Sequence, residues 1–178
     1  MKTIRLKDKE FKLFIPEEKI LAAIKEVAAK IEKDMAGKNP LFVGVLNGAF
    51  MFVADLMKQL NDSYELYFAR YKTYIGTNSS GTIQEIMPLN ISIEGRTVVL
   101  LEDIVDSGYT MKFVKEKMYN EGALDVKVAT MLFKPDALKC DLRPDYVAME
   151  IPNDFIVGYG LDYDELGRAY RDIYTIIK

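Results

Sequence analysis

The chain contains no histidine and a single cysteine, Cys140. Without histidine, any general acid or base must be a carboxylate, Lys, Tyr or water, and Ser-His and Cys-His nucleophilic schemes are excluded. One cysteine allows no intrachain disulfide and no cysteine-based zinc cluster. There is no apolar run of the ~18 residues that a membrane span needs and no signal-peptide pattern. A soluble, cytoplasmic protein without a membrane partner is expected. No basic run appears and the formal net charge is −3, so a nucleic-acid surface is not indicated. What remains is an ordinary globular composition: 178 residues, 49% of them hydrophobic. That suits one domain, 1–178, with a sizeable core.

The chain is organised around Val98-Val99-Leu100-Leu101-Glu102-Asp103-Ile104-Val105-Asp106-Ser107-Gly108-Tyr109-Thr110-Met111. Four apolar residues open it, enough for a strand buried on both faces. An acidic pair, two aliphatics and a third Asp follow. The chain then turns through Ser107-Gly108 into a helical run with Phe113, Val114 and Met118 as its expected buried face. Strand, short polar loop and helix N-terminus in that order make an anion site. The first backbone N–H groups of the helix have no intrahelical partner, and the helix dipole adds partial positive charge. Gly108 lets a phosphate approach the backbone closely, and Ser107 and Thr110 add hydroxyl donors.

Carboxylates repel a phosphate, so Glu102 and Asp103 should face another part of the same ligand. Vicinal sugar hydroxyls and a Mg²⁺ ion both suit a Glu-Asp pair. The pattern implies a sugar carrying phosphate at one end and hydroxyls with metal at the other. Taken alone, the acidic pair would be solvated loop charge, and Asp106 or Ser107 a helix cap.

Elsewhere, residues 1–15 alternate charged and apolar side chains and suit one or two short strands. Pro16-Glu17-Glu18 starts a helix whose apolar positions are Ile20, Ile24, Val27, Ile31 and Met35, ending at Gly37. Leu41 to Val45 is a second buried strand, followed by Leu46-Asn47-Gly48-Ala49 and an apolar helix to Leu60. This is a second strand–turn–helix, again suited to anions. Alternating strands and helices imply right-handed crossovers, a mainly parallel twisted α/β sheet and a ligand crevice beyond the carboxyl ends of its strands. Tyr64 to Tyr74 reads as a strand. The polar stretch Ile75-Gly76-Thr77-Asn78-Ser79-Ser80-Gly81-Thr82 cannot pack a core and is expected to be a mobile lid. Val126 to Phe133 is the next strand, Lys134 to Cys140 a polar connection, and Tyr170 to Ile177 a closing strand.

The stretch Leu100 to Thr110 resembles the phosphoribosyl-pyrophosphate motif of type I phosphoribosyltransferases. The tail, Arg143-Pro144-Asp145-Tyr146-Val147 and then Glu150-Ile151-Pro152 through Phe155-Ile156-Val157-Gly158-Tyr159-Gly160-Leu161-Asp162-Tyr163, resembles the hood of the hypoxanthine-guanine branch. The resemblance implies a core over about 16–135 with helices on both sheet faces, and a small hood from about 1–15 and 136–178. It implies transfer of phosphoribosyl from phosphoribosyl pyrophosphate to a 6-oxopurine, with Mg²⁺, by a homodimer or homotetramer. Glu102, Asp103, Asp106, Ser107, Gly108, Tyr109 and Thr110 would bind the phosphoribosyl group, and Asp106 would take or share the N7 proton. Leu46, Asn47 and Gly48 would form the pyrophosphate loop, with a cis peptide there and Asn47 standing where Lys is frequent. Arg168 would contact pyrophosphate. Thr73 and Tyr74 would begin the lid.

Metal would fall to Glu102, Asp103 and, through water, Asp162. On periodicity alone Phe155 reads as core and Arg143 as a surface charge. The resemblance instead makes Phe155 the stacking face, Arg143 the donor to O6, and Ile156 and Asp162 neighbours of the base. Two other classes stay open. A non-catalytic regulator could use the same fold to sense nucleotides. A phospho-acceptor receiver domain could set Lys134 beside the acidic pocket, though it leaves the tail motif unexplained.

Overall fold

The computed structural model describes residues 2–61, 63–74 and 81–177. β1 (Thr3–Leu6) and β2 (Lys9–Ile15) form an antiparallel hairpin. α1 (Glu17–Met35) starts directly after Pro16, and its stripe Ile20, Ile24, Val27, Ala28, Ile31 and Met35 is buried. Each of its Ile, Val and Met side chains taken from water contributes about 1.5–3 kcal/mol. The first turn carries Glu17 and Glu18, and the orphan N–H of Glu17 donates to Asp172 Oδ1 at 2.9 Å. β3 (Leu41–Leu46), α2 (Phe50–Gln59), β4 (Leu66–Tyr74), β5 (Thr82–Met87) and β6 (Thr97–Val105) follow. Then come α3 (Tyr109–Asn120), β7 (Asp125–Phe133), a 3-10 turn over Pro135–Ala137, β8 (Tyr146–Glu150), β9 (Ile156–Val157) and β10 (Ile173–Ile176).

The main sheet has the order β5-β4-β3-β6-β7-β8 and is parallel except for β5. α1 and α2 cover one face, and α3 covers the other through Met111, Val114 and Met118. The chain winds outward from β3 to β4 on one side and from β6 to β7 on the other. The switch point therefore lies between β3 and β6, where a crevice opens at the carboxyl ends of the strands. The second sheet, β1-β2-β10-β9, is antiparallel and has its own core of Leu6, Phe11, Val157 and Tyr174. Among the described residues no helix is long and apolar enough to cross a membrane.

The α/β class and the hood expected from sequence are present, with differences in detail. β8 is a sixth strand of the main sheet, so the C-terminal part of the hood begins beyond Glu150 rather than at 136. β5 is an antiparallel edge strand that the sequence reading did not assign. On α3 the buried position is Met111, not Phe113, because 111, 114 and 118 share one helical face. Phe113 is 37% exposed and sets its edge against Tyr71. Of the expected lid, residues 75–80 lie outside the described residues, while Gly81 and Thr82 lead into β5.

Candidate active site

The organising stretch folds as a strand, a three-residue turn and a helix. β6 is buried through Glu102, then emerges at Asp106-Ser107-Gly108 and enters α3 at Tyr109. Gly108 has φ +83°, and a Cβ there would meet Leu138 Cδ1 at 2.7 Å and Cys140 Sγ at 2.8 Å. Both the backbone conformation and the packing therefore require glycine. The turn is held from behind: Ser107 O accepts Lys139 N–H at 2.9 Å and Cys140 Sγ–H at 3.6 Å. Residues 102–108 with Thr110 and Met111 line a hollow of about 150 Å³. Beside it, Thr73, Gly81, Ile83, Ser107, Tyr109, Thr110 and Phe113 line a cavity of about 340 Å³. Thr73 Oγ1 lies 3.5 Å from Thr110 Oγ1, so the end of β4 meets the start of α3. Tyr74, next along β4, lies under Lys72, whose Nζ is 5.2 Å from the ring centroid.

The other turn, Leu46-Asn47-Gly48, joins β3 to α2, and its Leu46–Asn47 peptide is cis. Gly48 is pressed against Asp103: a Cβ would lie 1.8 Å from Asp103 Oδ2. On its far side, a Cβ at Gly160 would lie 1.9 Å from Gly48 O. Arg168 completes this corner. Its Nη1 donates to Gly160 O at 2.8 Å, and its Nη2 lies 3.0 Å from Asp162 Oδ1 and 3.2 Å from Glu165 Oε2.

The acidic pair sits between the turns. Glu102 is buried and Asp103 half-buried. Asp103 N–H donates to Glu102 Oε1 at 3.1 Å, and Ile104 N–H to Asp103 Oδ1 at 2.8 Å. Burial pushes both carboxyls above the usual carboxylate range, and the Asp103 charge pushes Glu102 further. The bond from Ile104 N–H and the charge of Arg168 draw Asp103 partly back. Two adjoining hard oxygen donors penalised by burial are a fit for a divalent cation. Among the described residues no cluster of three or more protein ligands forms, and Asp162 is turned to Arg168 rather than to the pair. A metal there would complete its shell with ligand oxygens and water.

Asp106 is half-exposed, and its Oδ2 lies 3.1 Å from Lys134 Nζ, a lysine that is 7% exposed. From sequence, Lys134 has a place beside the acidic pocket only in the receiver-domain reading, and none in the phosphoribosyltransferase one. The signal was available in the parallel register: β7 runs alongside β6 with Phe133 opposite Val105, so the next residues, Lys134 and Asp106, emerge together. Arg143, expected at the base, is elsewhere. It is exposed and lines a surface cleft with Lys112, Lys115, Tyr119 and Asp141 on the outer side of α3. Phe155 stands on the hood, 47% exposed, its ring edge-on to Tyr163 at 5.9 Å and 6.2 Å from Phe11. Ile156 is buried in β9, where its backbone pairs with Thr175.

Fold and site together define a phosphoribosyltransferase: the chain belongs to the phosphoribosyl transferase domain family, which it matches over residues 16–164. Its relatives lie in the hypoxanthine-guanine branch. The hypoxanthine-guanine phosphoribosyltransferase of Streptococcus agalactiae is 44% identical over 91% of this chain and 89% of its own length. That of Streptococcus mutans is 42% identical over 92% of this chain and 96% of its own. Among solved structures, a hypoxanthine phosphoribosyltransferase from Staphylococcus aureus superposes with a TM-score of 0.89 at 37% identity. It covers 93% of this chain and 91% of that one.

Proposed function

We propose that this chain transfers a 5-phosphoribosyl group from phosphoribosyl pyrophosphate to N9 of hypoxanthine or guanine, releasing pyrophosphate, and so acts in purine salvage. The observation that carries the reading is the acidic pair Glu102–Asp103 set between two helix-entry turns, one with Gly48 against Asp103. A sugar bearing anions at both ends and hydroxyls between them has that pattern of charge. The amides and hydroxyls of Ser107 to Thr110 hold the 5-phosphate. Glu102 and Asp103 accept from the ribose hydroxyls. The Leu46–Gly48 amides and Arg168 receive the pyrophosphate. Glu102 and Asp103 would hold a Mg²⁺ ion, with Asp162 nearby; when bound it supplies positive charge toward the leaving pyrophosphate.

Breaking the C1–O bond leaves positive charge on the ribose ring and negative charge on pyrophosphate. Donors already aimed at the leaving group lower that barrier without reorganising. Asp106 takes or shares the N7 proton as N9 bonds to C1. Lys134, buried beside Asp106, is the ammonium placed to donate to a 6-oxo group, and Arg143 has no part in this reading. Phe155 offers its exposed face to the purine, and the backbone at Ile156 the polar contacts of the ring edge. Water that would otherwise hydrolyse the sugar cation must be excluded where Thr73, at the end of β4, meets Thr110. The same reading has the protein work in the cytoplasm as a homodimer or homotetramer.

The test is nucleotide formation from phosphoribosyl pyrophosphate and Mg²⁺ with hypoxanthine, guanine, xanthine and adenine in parallel. Turnover of hypoxanthine or guanine without adenine is expected. Folded protein that turns over none of the four sinks the proposal.

A further inference from the structure

The turn proposed to receive pyrophosphate brings no cation of its own. Asn47 is neutral, and Gly48 faces the Asp103 carboxylate. The guanidinium beside it, Arg168, is engaged twice over, by Asp162 at 3.0 Å and Glu165 at 3.2 Å. These two carboxylates are not equivalent. Asp162 is built into the turn, its Oδ2 accepting Glu165 N–H at 2.8 Å, and its side chain is 29% exposed. The Glu165 side chain is 75% exposed and reaches Arg168 from a left-handed backbone position, φ +66°. An exposed carboxylate held in an uncommon conformation, on the arginine that pyrophosphate needs, stands in competition with that ligand.

We infer that Glu165 is a positioning residue that competes with pyrophosphate for Arg168, holding the guanidinium between turnovers and taking it back as the product leaves. Pyrophosphate displaces it because a polyanion forms paired charge-assisted bonds with the guanidinium, whereas an exposed carboxylate pair is weak. Glu165 thereby limits how tightly pyrophosphate is retained. The inference rests on the phosphoribosyltransferase reading above.

Calorimetric titration of the full chain in Mg²⁺ buffer tests it, with pyrophosphate and, separately, with IMP. Proteins compared are the wild type, Glu165→Gln, Arg168→Gln and the double variant. Glu165→Gln is expected to lower the pyrophosphate Kd about three-fold, the scale of an exposed ion pair, and to leave the IMP Kd unchanged. In the Arg168→Gln background the same substitution should give no gain, because the competition acts through that guanidinium. A purely structural role would weaken both ligands. Unchanged or weaker pyrophosphate binding by Glu165→Gln overturns the inference, as does a gain that persists without Arg168. If the wild type binds neither ligand, the enzymatic reading fails and the inference with it. Normal IMP binding with no tightening of pyrophosphate strikes the inference alone.

Discussion

The turns after β3 and β6 start from one plan and end as opposites. Both leave a buried parallel strand and enter a helix. The β6 turn is self-sufficient: Ser107 and Thr110 carry hydroxyls, and the segment behind it fixes Ser107 O. The β3 turn has a neutral Asn47 and a glycine pressed on a carboxylate, and its cation comes from the hood. Magnitudes explain the difference. A helix N-terminus favours an anion by roughly 0.3–1 kcal/mol. A carboxylate about 4 Å away repels it by about 4 kcal/mol at an effective dielectric of ~20. On the proposed reading, a helix end alone suffices for a phosphate that faces hydroxyls, and fails for a pyrophosphate that faces Asp103. That end of the site must import charge.

Breaking the catalytic side of the β6 turn should cost most. Asp106→Asn is expected to lower kcat by about 10²–10⁴ through loss of proton transfer, with little change in the phosphoribosyl pyrophosphate Kd. Equal losses in both would count against the proton role. The β3 turn should break sterically. In Gly48→Ala the new methyl meets Asp103 Oδ2, and a strain of about 1–3 kcal/mol predicts a Tm lower by roughly 2–12 °C, with a roughly ten- to hundred-fold loss of kcat/KM as the turn and Asp103 move apart. Steady-state kinetics beside thermal melts would check this, and a wild-type rate would show that the turn moves freely.

A milder change separates the turns through the hood. Tyr159 OH donates to Asp55 Oδ2 at 2.6 Å, tying the hood to α2. Tyr159→Phe should cost about 1 kcal/mol and weaken pyrophosphate more than IMP. Burial, and then the bond to Asp55, hold the Tyr159 phenol well above the usual tyrosine range. The folded state thus keeps this proton more tightly than the unfolded chain. Its contribution is whole below about pH 10 and is lost as pH rises beyond that. Denaturant melts from pH 8 to 11 should show a shallower alkaline decline in the variant. The smallest effect belongs to Arg143→Ala. Set on an outer cleft, it should alter the KM for hypoxanthine or guanine by less than about two-fold, as surface substitutions do. A large rise would return Arg143 to the base.

The β6 turn was legible because everything that defines it is local: strand, acids, turn and helix entry lie within fourteen consecutive positions. The same held for α1, whose periodicity is uninterrupted, whereas residues 1–15 gave only one or two short strands because the polar run Lys7 to Glu10 breaks their alternation. The base contacts proposed above were less legible because they draw on residues from several strands and the hood. The resemblance of the tail motif makes Arg143 the donor to the base, whereas its side chain lines a cleft on the outer side of α3, as the surface reading from periodicity has it. Lys134, in a polar connection, has a role from sequence only in the receiver alternative, although the register of β6 with β7 delivers it to Asp106. β5 is hard to see in the sequence because Thr82 to Met87 exposes one face and only half-buries Ile83 and Glu85 on the other, and it gains its identity from pairing with β4. β8 was absorbed into the hood because its neighbours in sequence belong there.

Gly48 packs through its Cα on the Asp103 carboxylate and through its carbonyl on Gly160, so three distant parts of the chain meet at one corner. No one of them can grow alone. A bulkier residue at 48 needs a shorter one at 103, which forfeits the carboxylate, and a bulkier residue at 160 needs the backbone at 48 to withdraw. As lineages diverge, these positions are free to drift only together, and the intermediate steps carry the penalty of a clash. The corner where the hood meets the sheet is thus expected to be among the slowest parts of this molecule to change, and for steric reasons before chemical ones.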